Sequence, residues 1–266
     1  MNVALPLRSE FGLKVWWYVP AVHALPGPKA VYHEIGEEAL YPSADHLIEV
    51  PRRQDDLRRN NFAKDAEFVA AMEADARRRF GHTARMHRPT DKFPRKRFVP
   101  QPTIRQGINC DVVVCPRKRE YGKGKNWDGW PELTRRLCAE GLSVFAGGVA
   151  DSSYDVPCVK AWDFGRGLDA TIEAMHAARL VVATDAGLAH LAVLCGRPLL
   201  MITHAAGLVA PGEFVDERGK AIKPEYWPVH VHRYIEGNHT GSPFHMLHHA
   251  WMDVDVTFNG VMGLLK

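Results

Sequence analysis

Short unbroken apolar runs alternate with amphipathic stretches through the second half of this chain. Cys110 to Cys115 reads as a buried strand, and Trp130 to Glu140 as a helix stopped by Gly141. Leu142 to Ala146 is a second strand, ending in Gly147-Gly148. The pattern continues with a helix over Leu168 to Ala178 and a strand over Leu180 to Ala183. A helix over Leu188 to Leu194, stopped by Gly196, and a strand over Leu199 to Ile202 complete it. Fully apolar strands alternating with helices predict a parallel sheet covered on both faces. Val254 to Leu265 reads as a final helix, and residues 203–250, dense in His, Pro and Gly, carry no period that places an element.

The first half is more broken. Asn2 to Leu7 reads as a strand, followed by the polar turn Arg8-Ser9-Glu10-Phe11-Gly12. Leu13 to Leu25 is apolar enough for a helix despite Pro20, and Lys29 to Glu34 and His46 to Val50 read as strands. Residues 64–80 predict a helix with Phe68, Met72 and Ala76 on one stripe and Gly81 at its end. From Gly81 to Gly107, Pro89, Pro94, Pro100 and Pro102 interrupt any regular element, which predicts a linker or an extended surface crossing.

Composition adds modest constraints. At 46% hydrophobic and 24% charged, the 266 residues have the make-up of a soluble globular protein. No stretch approaches the roughly 20 apolar residues that span a bilayer, and no secretory leader is legible. The five cysteines are odd in number and irregularly spaced, which predicts free thiols in a reducing, cytoplasmic compartment. Net charge is only +3, but Arg and Lys crowd between residues 52 and 97. That segment, with Arg95, Lys96 and Arg97 at its end, reads either as a face for an anionic acceptor or as a solvated helix and linker.

Three polar clusters fall at the ends of expected strands, where open α/β sheets bind ligands. The first is the turn holding Glu10 and Gly12. The second runs from Pro116 and Arg117 through Lys123, Lys125, Asn126 and Trp127. The third is Thr184-Asp185-Ala186-Gly187-Leu188-Ala189-His190. Gly187 opens a helix directly after a buried strand, so backbone N–H groups and the helix dipole favour an anion there. His190 lies one turn in and can add a donor, and Asp185 suits sugar or ribose hydroxyls. The competing reading makes Asp185 a helix cap and His190 a satisfied core histidine. Arg117, Lys123 and Lys125 can offset phosphate charge.

The histidines from His230 to His249 lack Cys or carboxylate partners at ligand spacing, so no metal site is expected. No Walker A, HExxH or GxSxG motif is present.

On these residues, the run from Val112 to Ile202 resembles the donor-binding half of glycosyltransferase family 9, the heptosyltransferase family. The shared features are the strand-Pro-Arg loop, Lys125-Asn126-Trp127 before a helix, and the strand ending in Gly147-Gly148. Ala178 to Ala192 and then Gly196-Arg197-Pro198 complete them. The family pattern at the last site is Asp-Thr/Ser-Gly-x-x-His, and Ala186 departs from it by removing a hydroxyl.

The resemblance implies an α/β fold of two Rossmann-like domains (GT-B) with a shortened N-terminal one. Residues 1–104 form that acceptor-side domain with its basic linker, 105–250 the nucleotide-sugar domain, and 251–266 a last helix. It also implies inverting, metal-independent sugar transfer, with no cofactor beyond the nucleotide-sugar substrate. The family's base is an acidic residue near the first strand–helix turn, beside a glycine. Glu10, two before Gly12, is the matching candidate, with Asp45 and Asp55 as alternatives and an exposed turn residue as the plain reading. Arg117, Lys123, Lys125, Asp185, Gly187 and His190 are the expected donor contacts; Gly12, Arg95, Lys96 and Arg97 lie on the acceptor side. The acceptor is expected to be a glycan, a lipid-linked sugar or a nucleic-acid base. The rivals are a non-catalytic nucleotide- or nucleic-acid-binding module and a sugar-nucleotide epimerase.

Overall fold

The computed structural model describes residues 1–7, 11, 14–51, 66–88, 98–119, 126–184, 186–202, 214–215, 221–222, 244–247 and 254–266, with Trp16, Trp17 and the strands between 214 and 247 described by backbone alone. These residues form two compact units, Met1–Thr103 and Ile104–Lys266.

In the first unit, β1 (Asn2–Ala4) leads through a π-helical turn (Lys14–Tyr18) into α1 (Val19–Ala24). Pro20 falls in the first turn of α1, where a missing N–H breaks no helical hydrogen bond, so the helix tolerates it. Then come β2 (Lys29–Glu34), β3 (His46–Val50), α2 (Ala66–Phe80) and β4 (Arg85–His87). The four strands pair in parallel in the order β3-β2-β1-β4. The expected stripe of Phe68, Met72 and Ala76 packs on Val3, Leu5, Ala30 and Tyr32. Gly81 ends α2 with φ +81°, its N–H bonded to the Arg77 carbonyl at 3.0 Å.

One expectation fails here. The segment from Gly81 to Gly107 holds a regular element, β4, which pairs with β1 in the register Val3↔Met86. Its Arg-Met-His sequence has no apolar alternation to reveal it; buried His87 instead bonds Asn2 Oδ1 through Nε2 at 2.7 Å.

Lys14, on the π-helical turn, is buried with its ammonium 2.6 Å from Glu34 Oε2 and 2.8 Å from Glu37 Oε1. Glu34 closes β2 and is itself buried, so this triad ties the turn to the carboxyl end of the strand. Desolvation makes such a cluster weakly stabilising as a whole, but removing one partner strands a buried charge.

The second unit begins with β5 (Val112–Cys115), α3 (Trp130–Ala139), β6 (Val144–Ala146) and β7 (Val159–Lys160). It continues with α4 (Gly167–Ala177), β8 (Leu180–Thr184), α5 (Gly187–Leu194) and β9 (Leu199–Ile202). β10 (Phe214–Val215) and β11 (Ala221–Ile222) form an antiparallel pair of their own. β12 (Phe244–Leu247) and α6 (Val254–Leu265) complete it. The six-stranded sheet is parallel throughout, in the order β12-β9-β8-β5-β6-β7.

One face of this sheet, from Val112, Val114, Val144, Ala146, Leu180, Val182, Leu200 and Ile202, packs on Trp130, Leu133 and Leu137 of α3 and Val261 of α6. Thr171 of α4 approaches Gly147 beside Val113, which strand alternation places on the opposite face. All five cysteines are free. Burial pushes the thiols of Cys110, Cys158 and Cys195 up to about 12. They pack as small hydrophobes, whereas Cys138 is exposed.

Lys14→Met should lower the unfolding free energy by about 3–5 kcal/mol, because the buried ammonium that pairs with Glu34 and Glu37 would be lost. Urea unfolding checks this; a loss below about 1 kcal/mol would show that the triad relaxes into solvent.

Candidate functional site

From β5 the chain moves outward through β6 to β7, then returns to the other side of β5 and moves outward again through β8, β9 and β12. The order therefore reverses between β5 and β8, and helices leave the two strand ends in opposite directions. Such a switch point opens a crevice at the carboxyl ends of the strands. Register places Cys115 beside Ala183, so Pro116-Arg117 leaves the sheet next to Thr184, the last residue of β8.

The loop after β5 is held firmly. Tyr154 N–H donates to the Pro116 carbonyl at 2.6 Å, Lys118 N–H donates to the Ser152 carbonyl at 2.8 Å, and Arg117 pairs with Ser153 in an isolated antiparallel bridge. Half-buried Arg117 donates from Nη1 to Asn126 Oδ1 at 2.5 Å. The same oxygen accepts the Arg119 N–H at 3.0 Å, and Asn126 Nδ2 donates to the Arg119 carbonyl at 2.7 Å. Asn126 thus clamps the two ends of the basic loop together and orients the guanidinium.

The glycines after β6 have a steric reason. Gly148 has φ +133°, and a Cβ there would lie 2.8 Å from Ser153 Oγ, 3.7 Å from Leu188 Cδ1 and 3.9 Å from Trp162. Only glycine lets Ser153 of the β6–β7 connection, the turn after β7 and the first turn of α5 approach this point together.

α5 starts directly after β8. Its N-cap is Ala186, which has no side-chain oxygen, so the cap that a Ser, Thr, Asp or Asn would supply is missing at that position. Gly187 is the first helical residue, and half-buried His190 lies one turn in. The dipole at a helix start without a side-chain cap from its N-cap residue favours an anion. Thr184 is 1% exposed, and its hydroxyl has no hydrogen-bond partner among the described residues.

No family model matches the sequence, and no curated protein matches it. In fold, the chain is similar to solved glycosyltransferases. A glycosyl transferase family 9 protein from Veillonella parvula aligns over 99% of this chain and 97% of its own, with TM-score 0.50 and 13% identity. The ADP-heptose LPS heptosyltransferase II of E. coli aligns over 90% of this chain and 100% of its own, with TM-score 0.49 and 14% identity. The E. coli heptosyltransferase WaaC, solved with ADP, gives 99%, 100%, 0.49 and 13% for the same measures. At these identities the likeness is one of fold: α/β, with parallel sheets in two Rossmann-like units, as the sequence resemblance implied.

Of the expected donor residues, Arg117, Gly187 and His190 belong to the elements that meet at the switch point. Lys123, Lys125 and Asp185 lie outside the described residues, as do Glu10, Gly12, Arg95, Lys96 and Arg97. Among the described residues no group of three His, Cys, Asp or Glu side chains is placed to hold a metal ion. None of the described helices is long and apolar enough to cross a membrane.

Asn126 and Thr184 were missed as site residues. Asn126 was legible only as part of a motif, since its role needs the fold to bring Arg117 and Arg119 onto one amide. Thr184 was legible only as the first residue of the third polar cluster, since its role rests on the lack of a partner in the folded chain.

Asn126→Ala deletes three hydrogen bonds of the loop. It should lower the midpoint of urea unfolding by an amount equivalent to about 1–3 kcal/mol, with an unchanged slope. An unchanged midpoint would show that the loop does not depend on this clamp.

Proposed function

We propose that this protein is an inverting, metal-independent glycosyltransferase that moves a sugar from a nucleotide-sugar donor to a hydroxyl acceptor. The observation that carries the reading is the adjacency of the β5 and β8 carboxyl ends, from which the Arg117 loop and α5 follow. The fold likeness to a structure named as a glycosyl transferase of family 9 supports it.

In this reading the donor diphosphate rests on the α5 N-terminus and is neutralised by Arg117, Lys123 and Lys125. His190 adds a donor, and Asp185 accepts from sugar or ribose hydroxyls. The acceptor oxygen attacks the anomeric carbon as its proton passes to Glu10, and the bond from that carbon to the diphosphate breaks. Charge building on the leaving nucleoside diphosphate is what the Arg and Lys side chains offset, the task a metal ion performs elsewhere. Gly12, Arg95, Lys96 and Arg97 serve the acceptor, a glycan, a lipid-linked sugar or a nucleic-acid base.

A panel of ADP-, UDP-, GDP- and CMP-sugars should contain one that stabilises the protein by about 2.7 kcal/mol at about 100 times its dissociation constant. Transfer from that donor should persist in EDTA. Binding without transfer or hydrolysis would favour a non-catalytic nucleotide-binding module, and loss in EDTA restored by Mg²⁺ or Mn²⁺ would refute metal independence.

Glu10→Gln keeps the side-chain shape but cannot take a proton. Turnover should fall by about 10²–10⁴-fold with donor affinity unchanged. Near-normal turnover would rule Glu10 out as the base.

A further inference from the structure

Thr184 is the last residue of β8 and lies one position beyond the Ala183↔Cys115 pair, at the mouth of the switch point. Strand alternation puts its side chain on the face of Leu180 and Val182, and its partner in register is Ile202 of β9. These neighbours are buried and apolar. Thr184 is buried as deeply, yet its Oγ1 has no hydrogen-bond partner among the described residues. A threonine can return its hydroxyl to backbone groups of a preceding helical turn or an adjacent turn, and the Thr184 hydroxyl makes no such bond among the described residues. Valine has the same shape without the cost of a buried, unsatisfied hydroxyl, so packing alone does not account for threonine here.

A second observation bears on the same place. Two residues later, α5 opens on Ala186, a residue without a side-chain oxygen to accept from the first N–H groups of the eight-residue helix. Ala189 N–H turns back to the Ala186 carbonyl at 3.0 Å. A helix start whose N-cap has no side-chain oxygen and a hydroxyl without a partner among the described residues both call for a hydrogen-bond acceptor. Phosphate oxygens are such acceptors, and they carry the charge that the helix dipole favours.

Resting on the donor-site reading above, we infer that the Thr184 hydroxyl binds the donor diphosphate, donating to one of its oxygens. It supplies from inside the sheet the hydroxyl that Ala186 lacks. The contact belongs to the phosphates rather than to the base or the sugar, so it should serve any nucleoside diphosphate and pyrophosphate alike.

The test is calorimetric titration of the full chain with ADP, UDP, GDP and inorganic pyrophosphate, using wild type, Thr184→Val and Thr184→Ser. Urea unfolding of each protein without ligand accompanies it. Thr184→Val should weaken binding of whichever probes the wild type takes by about ten- to a hundredfold, the range for a hydrogen bond to a charged group. Its ligand-free unfolding midpoint should stay level or rise, since an unsatisfied hydroxyl has gone. Thr184→Ser should bind within a few-fold of wild type.

Equal binding by wild type and Thr184→Val overturns this inference and leaves the donor-site reading standing. So does a lowered ligand-free midpoint in Thr184→Val, which would mean that the hydroxyl serves the fold. Failure of the wild type to bind any of the probes overturns the donor-site reading and this inference with it.

Discussion

β5 and β8 are hydrogen-bonded in parallel from Val112↔Leu180 to Cys115↔Ala183, and the strand order of the sheet reverses across that pair. Both strands are buried along their length, so a one-residue slip would exchange the side chains fitted against α3 and α6 with those of the opposite face and spoil the packing of both. That constraint fixes which residues leave the sheet together. It brings together the strand ends that lead to Arg117 and to α5, although about seventy positions separate those two in the chain. The loop after β5, the glycine pair after β6 and the first turn of α5 all take their places from this register.

Charge is distributed unlike its first appearance in the sequence. The described part of the basic segment is largely paired within itself: Arg78 and Arg79 reach Asp75, and Arg88 reaches Glu73. These pairs are exposed on the arginine side and contribute little to stability. The charge that matters structurally in the first unit is instead the buried Lys14 between Glu34 and Glu37. A lone lysine in an apolar helix pattern gave no sign of it. Its counter-ions stand twenty or more residues away, and only the parallel pairing of β1 with β2 brings the π-helical turn to them.

What could be read from the sequence follows from where the physics is local. β2, β3, β9 and α6 have the bounds that apolar periodicity predicted, because burial of a strand or helix face is written in its own residues. β4, β7 and β12 were not found. Each is two to four residues long and draws its place from a neighbouring strand rather than from its own pattern. The same division holds at the site. Gly187 and Arg117 carried local signals, a glycine opening a helix and a cation after a strand. Asn126 acts through two residues of a loop it closes, and Thr184 through the absence of a partner, neither of which a linear pattern records.

Consistency across levels is what makes one sequence specify one fold, and departures from it gather where function is served. The second unit follows the rule closely: its central strands are apolar throughout, and α3 and α6 cover one face. Three of its departures fall near one edge. Gly148 is held in a conformation that side chains avoid, α5 has an alanine as its N-cap, and a hydroxyl two residues before it is buried without a partner among the described residues. The first lets four segments crowd together; the other two leave hydrogen-bonding capacity unspent. Neither the crowding nor the unspent donors improves the packing of the sheet. An acceptor-rich anion at the β5/β8 edge would use both: the crowding would exclude water around it, and the donors would meet its charge.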